Sequence, residues 1–250
     1  MTPISIRSPL VSLAIRGLAA GALAVAAAIA TPALRAADAD NTLTAKEQAE
    51  GWVLLFDGKT IDKWHGYRVT TIPANWSVVD GTIKAVKGPG ADLVSAGEYA
   101  DFELAVDFNI AKDGNSGLFF HGVESPTAPI YRSAPEFQII DNDGHPDGKN
   151  GPDRWCGANY DVDPPLANAC NPPGQWNSAR IVVKGAHVEH WVNGKKTADY
   201  ELWSPEWKAK VAQSKFATWT EYGMAKSGHF GLQAHGDEVA FKNIKVRVLK

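Results

Sequence analysis

Cysteine is scarce in this chain, with two residues in 250, Cys156 and Cys170. They form no C-x-x-C pair, so the ligand spacing of a structural zinc site is missing. Runs of Lys and Arg interleaved with aromatics are missing too, and the formal net charge is only -3, which argues against nucleic acid as a partner. The apolar run from Gly17 to Ala30 is too short to span a bilayer comfortably. A Gly-x-Ser-x-Gly elbow is absent, and "GNSG" at 114–117 reads as a turn before a strand, which removes the common serine hydrolase arrangement. Residues 45–250 contain no internal repeat, low-complexity linker or shift of composition, so one domain is expected there.

Tryptophan and glycine are plentiful, at nine and 23 residues. In exported β proteins that mixture accompanies sugar binding, because flat rings stack on pyranose faces; about half of the tryptophans are expected in the core instead. Arg7 and Arg16 precede the apolar run and small residues follow it, the pattern of an export signal. Residues 1–39 are therefore expected to be removed, with cleavage after Ala39 or Ala36, leaving a periplasmic or secreted domain over 40–250 with no membrane attachment. Both cysteines fall in that exported part and bracket a Pro/Asn-rich segment. A disulfide closing this loop is the expected state, stabilising by about 3 kcal/mol through loop entropy. Two free thiols and a two-cysteine metal site are the alternatives.

One short helix is expected in "LTAKEQAEG", with Thr44 as N-cap and Glu47 completing a capping box. Beyond it the hydrophobic period becomes 2. Strands are expected at 51–57, 76–86 (turning at Asp80-Gly81), 93–96, 101–111, 116–123, 136–141, 178–202 (turning at Lys184-Gly185 and Asn193-Gly194), 228–236 and 239–249. This is an all-β pattern, an antiparallel sandwich. Two stretches interrupt it. The irregular segment 142–175 is long enough to imply a function or a staple. The aromatic segment 203–223 reads as helical, beginning at Ser204-Pro205.

Successive strand residues point to opposite faces, so each strand sorts into two rows. Phe102, Leu104, Val106 and Phe108 form a core row, as do Leu118 with Phe120, Phe137 with Ile139, and Phe230 with Leu232. The opposite rows place Glu136, Gln138, His121, Gln233 and His235 on one shared face. The outer face of an antiparallel sheet is ordinarily solvated. Here, though, Gln and His keep company with aromatics and glycines, which suits a ligand groove. His190 beside a hairpin turn is read as structural, and Trp176 and Arg180 as braces of the sheet. Trp155 and Tyr160, on the long loop, are the sugar-stacking candidates.

The motifs "GWVLLFDGKTIDKW", "YADFELAVDF", "GNSGLFFHG", "PEFQIIDNDGH", "PPGQWNSARIVVKGAHVEHWVNGKK" and "GHFGLQAHGDEVAFKNIKVRVL" occur in this order from about Glu50 to Leu249. Together they resemble the 3-keto-disaccharide hydrolase family. The resemblance implies a concanavalin A-like jelly roll of two antiparallel sheets and an activity on glycosides whose C3 hydroxyl has been oxidised to a ketone. It also implies Glu136, Gln138, Asp141, Asn142, Gln233 and His235 as site residues. The Cys156/Cys170 loop and the segment 203–223 depart from the shared pattern.

A C3 ketone acidifies the C2 proton, so a base can remove it while the C1 oxygen leaves. That chemistry needs a base, a stabiliser for the enolate and an acid for the leaving oxygen. Glu136 and His235 are the candidates for base and acid, in either order. No cofactor is demanded, although Ca²⁺ or Mg²⁺ near Asp141, Asn142 and Asp143 could serve the enolate; "DNDG" lacks EF-hand spacing and equally suits an Asx turn. A retaining glycosidase would want a second carboxylate where Gln138 stands. A non-catalytic carbohydrate-binding module is the alternative function, and in both cases the partner is an oligosaccharide or glycoside.

Overall fold

The computed structural model describes residues 1–2 and 39–250; nearly all of the expected export signal lies outside the described residues. Among them, thirteen strands follow one another: β1 Trp52–Leu54, β2 Trp64–Gly66, β3 Trp76–Val79, β4 Thr82–Ala85, β5 Leu93–Tyr99, β6 Phe102–Ile110, β7 Asn115–Gly122, β8 Glu136–Ile140, β9 Asn177–Lys184, β10 His187–Val192, β11 Lys195–Glu201, β12 Gly228–Leu232 and β13 Val239–Val248. They make two antiparallel sheets. The first runs β11-β10-β9-β6-β13-β4-β3, with β1 also on β13, and the second runs β2-β5-β12-β7-β8. This is the expected sandwich. Among the described residues no helix is long and apolar enough to cross a membrane.

The alternation read from the sequence forms the interior. Phe102, Leu104, Val106 and Phe108 of β6 meet Leu118, Phe120, Phe137, Phe230 and Leu232 of the second sheet in one core cluster. The hairpin turns at Asp80-Gly81 and Asn193-Gly194 have positive φ at both residues, the conformation that matches strand twist and favours Asn, Asp and Gly. Thr44 and Glu47 complete the capping box of α1, Ala45–Ala49.

The second sheet is not solvated on its other face, and every residue of β7 and β8 is buried. Tyr67, Val94, Phe119, Ile130 and Ala134 form a small second core over it. The long loop adds a further layer at the β8 edge. Gln138 N–H donates to the Ala158 carbonyl, Gly157 N–H to that of Gln138, and Tyr160 N–H to that of Glu136 (3.2, 2.8 and 3.1 Å). The loop thus pairs an edge that would otherwise be open, and the Cys156–Cys170 disulfide closes it.

The segment 203–223 is only partly helical. α2, Pro205–Val211, is capped by Ser204 as expected. It then stops, because Ser214 turns its hydroxyl onto the Val211 carbonyl (2.8 Å) and receives the Phe216 N–H (3.1 Å). The remainder folds back so that Phe216 stacks on Tyr222, with ring centroids 3.8 Å apart.

Candidate functional site

The outer row of the second sheet ends in a cavity of about 380 Å³ lined by Asn115, Tyr131, Glu136, Gln138, Tyr160, Lys215, Trp219, Gln233 and His235. Glu136 and Gln138 alternate on β8, Asn115 heads β7, and Gln233 follows β12 with its N–H on the Gly117 carbonyl (3.0 Å). The groove continues past Gln233, His235 and Tyr131 into a second space of about 480 Å³ bounded by Tyr67, Arg68, Gly90 and Asp92. A larger, more open cleft of about 630 Å³ lies between His65, Arg68, Thr70 and Glu124. The smaller cavity carries the distinctive chemistry. Asn115 Oδ1, Gln138 Nε2 and Gln233 Oε1, all buried, have no hydrogen-bond partner among the described residues. Buried polar atoms are nearly always partnered, and these two acceptors and one donor match the hydroxyls of a sugar.

Glu136 is only 4 % exposed. Burial drives its carboxyl pKa up to about 8; Asp92 and Asp147 push in the same direction, against Lys215 and the amide of Gln233. His235 stands at the groove mouth. The residue is exposed overall, yet protein around the ring, then neighbouring His145, holds its pKa below the usual imidazole value. Asp92, its pKa raised to about 6 chiefly by burial, accepts the Ala234 N–H (2.8 Å) and so anchors the residue next to His235.

Tyr160, read from the sequence as a stacking candidate, is a buried part of the cavity wall. Its hydroxyl donates to Asp147 Oδ2 (2.8 Å) and accepts from Arg154 Nη1 (3.2 Å), and Arg154 also binds Asp161, which takes the Lys215 N–H (2.6 Å). This chain fastens the long loop to the segment after α2. Trp219 and Tyr131, with ring centroids 5.9 Å apart, supply aromatic surface that the sequence reading missed.

Four expected site residues fall elsewhere. His121 leaves the groove face because β7 carries an extra residue: Gly231 pairs with Phe119 and His229 with Gly122, so two steps on β12 span three on β7. With φ at 52°, His121 turns inward against Phe102 and Phe120, and its Nε2 donates to the Ala100 carbonyl (2.8 Å). Asp141 is consumed by backbone: its carboxylate accepts Gly144 N–H (3.1 Å) and Asp113 N–H (2.9 Å), an Asx turn. Asn142 Oδ1 accepts Cys156 N–H (2.8 Å). Trp155 donates to the Gly148 carbonyl (2.9 Å) and is not among the residues lining the cavity. Asp141 and Asn142 therefore brace the loop. A different group, His145, His235 and Asp237, has ligand atoms within 4.8 Å of one another, a spacing able to hold a cation.

The residues read as structural behave so. His190 is fully buried between Phe137 and Tyr200, with burial lowering its pKa to about 4. Arg180 pairs with Glu103 (2.6 Å), and Lys242 lies over the Trp176 ring (4.6 Å).

Comparison with known proteins agrees with this architecture. A 3-keto-disaccharide hydrolase of Bacteroides thetaiotaomicron is 37% identical over 245 residues, covering 86% of this chain and 84% of the relative. A crystal structure from Parabacteroides distasonis, provisionally named a glycosyl hydrolase, superposes with a TM-score of 0.80 at 35% identity, covering 85% of this chain and 100% of that one. A second structure from that organism, with the same provisional name, gives a TM-score of 0.61 at 28% identity, covering 79% of this chain and 99% of that one. The profile of the 3-keto-alpha-glucoside-1,2-lyase-like domain matches residues 51–247, and the chain belongs to that family.

Proposed function

We propose that the protein is an exported glycoside-cleaving enzyme that acts on 3-keto-glycosides by elimination across C1–C2 followed by hydration. The observation that carries this reading is the Glu136/His235 pair in one cavity, with pKa values displaced in opposite directions. Such divergence assigns the roles. Neutral His235 is the base and protonated Glu136 the acid.

His235 takes the C2 proton, and the C2–H electrons form the enolate whose negative charge rests on the C3 oxygen. That charge returns to re-form the ketone, C1=C2 forms, the C1–O bond breaks, and Glu136 protonates the departing oxygen. Water then adds across C1=C2, so one water is consumed and a 3-keto sugar is released with the alcohol. Asn115, Gln138 and Gln233 orient the sugar hydroxyls, and Trp219, Tyr131 and Tyr160 pack against its faces. Incubation of the purified protein with a 3-keto-disaccharide and with its unoxidised parent tests this: only the former should be cleaved, and equal cleavage of both would refute the role of the ketone.

A metal-assisted version is favoured by the His145, His235 and Asp237 group. His145 Nδ1, however, accepts the Asp147 N–H (3.1 Å), which fixes the neutral ring as the Nε2–H tautomer. Coordination through Nε2 would require that hydrogen bond to yield, so the metal-free version comes first. Chelator treatment separates the two: it leaves the metal-free enzyme at full rate, whereas loss of activity restored by a divalent ion supports the metal.

A further inference from the structure

Elimination places a full negative charge on the C3 oxygen, and three cations line the cavity or pack on its aromatic walls, Arg68 bordering only the adjoining space. Two are already neutralised. Arg132 pairs with Glu221 (3.1 Å) while lying over Trp219 (4.3 Å), and Arg154 is held between Asp147 and Asp161. Lys215 differs. It lines the cavity together with Glu136, and among the described residues no carboxylate oxygen lies within 4.0 Å of its ammonium. Half-buried lysines elsewhere in the fold are paired, such as Lys196 with Glu189 (2.6 Å) and Lys210 with Asp163 (2.7 Å).

The position of this ammonium is built. Nζ lies 4.0 Å over the Tyr160 ring and 5.1 Å from that of Phe216. At the other end of the residue its backbone N–H is fixed by Asp161. We propose that Lys215 is a catalytic residue whose ammonium holds the C3 carbonyl oxygen as it becomes an enolate, an assignment that rests on the 3-keto reading above. The residue is exposed overall, but its charged end is not fully hydrated; that loss of water lowers its pKa, with Glu136 opposing. A partly dehydrated cation acts more strongly on an oxyanion than one in bulk water.

The test uses a 1-deoxy analogue of a 3-keto-glucoside, which keeps the acidic C2–H and has no leaving group. Exchange of that hydrogen for deuterium isolates enolate formation. Lys215→Met should slow exchange about 100- to 1,000-fold and lower kcat on a 3-keto-disaccharide in parallel, with KM changed less than about threefold. Lys215→Arg should recover at least about tenfold, since it restores the charge without the geometry. Thermal midpoints should stay within a few degrees of wild type, because the substitution removes the contact with the Tyr160 ring but no ion pair; Lys215→Gln supplies a second neutral side chain for the same comparison. Exchange by both neutral variants within about threefold of wild type, or a loss confined to KM, would overturn the assignment. A wild-type protein that neither exchanges the analogue nor cleaves the disaccharide refutes the 3-keto reading itself, and the role of Lys215 falls with it.

Discussion

The Glu136 carboxyl lies directly over the backbone of Gly117 on the adjacent strand, so close that a Cβ at Gly117 would come 2.4 Å from Oε1 and 2.9 Å from Cγ. Gly117 pairs with Gln138 in the β7–β8 ladder, so the strand cannot shift to make room without breaking that pairing. The side chain must move instead. Gly117→Ala should therefore fold with wild-type secondary structure, by circular dichroism, yet lose about 100-fold in kcat, because small displacements of a reacting group are that costly. Wild-type kcat would show that Glu136 has no fixed placement to lose.

The pH profile should be set by Glu136 and His235. Glu136 faces Lys215, Asp92, Asp147 and Gln233, and its acid form persists to about pH 8. Activity should fall as pH rises through that value, and should fall in acid as His235 gains a proton at a pH below the ordinary histidine range. Glu136→Gln should lower kcat by about 100- to 10,000-fold. The same substitution should stabilise the fold. A carboxyl with a raised folded-state pKa favours folding only while it is protonated, and that advantage is lost as pH climbs from its unfolded value to about 8. The thermal midpoint of Glu136→Gln should accordingly exceed wild type by several degrees at pH 8 and match it near pH 5. Equal midpoints at both would contradict the burial account.

Removing the disulfide should affect both stability and the cavity wall. Cys156 and Cys170 close a loop with a sequence separation of 14, and residues 157–160 of that loop pair with β8 behind Glu136. The double variant Cys156→Ser, Cys170→Ser should lose about 3 kcal/mol in denaturant unfolding. Its KM for a 3-keto-disaccharide should rise as Tyr160 loosens. An unchanged unfolding midpoint would mean that pairing with β8 alone holds the loop.

Strand parity made part of this site legible in advance. Glu136, Gln138 and Gln233 fell on one face because alternation is strict where a strand is regular. Asn115 was reachable by the same rule, one position before the expected start of its strand. His121 was not, since an extra residue in β7 reverses parity from that point and leaves no mark in composition. Asp141 and Asn142 carried the right chemistry for a ligand and spend it on backbone N–H groups, a use that depends on how the loop folds. Asp92, Lys215 and Trp219 lie in loops or at a strand end and Tyr131 in a single 3-10 turn, where no period exists to bring distant residues together. The sandwich itself was legible because ten or more short alternating runs between turn signals leave few other folds.

Elimination followed by hydration takes one hydrogen at C2 from solvent, whereas direct displacement at C1 leaves the C2–H bond intact. Cleavage of a 3-keto-disaccharide in deuterium oxide, with the released sugar read by mass and NMR spectroscopy against an enzyme-free blank, tests this most directly. The structure leads us to expect one deuterium at C2 of the released 3-keto sugar at every turnover, lost together with turnover in Glu136→Gln and His235→Ala. A cleaved product that keeps its C2 protium would contradict the account.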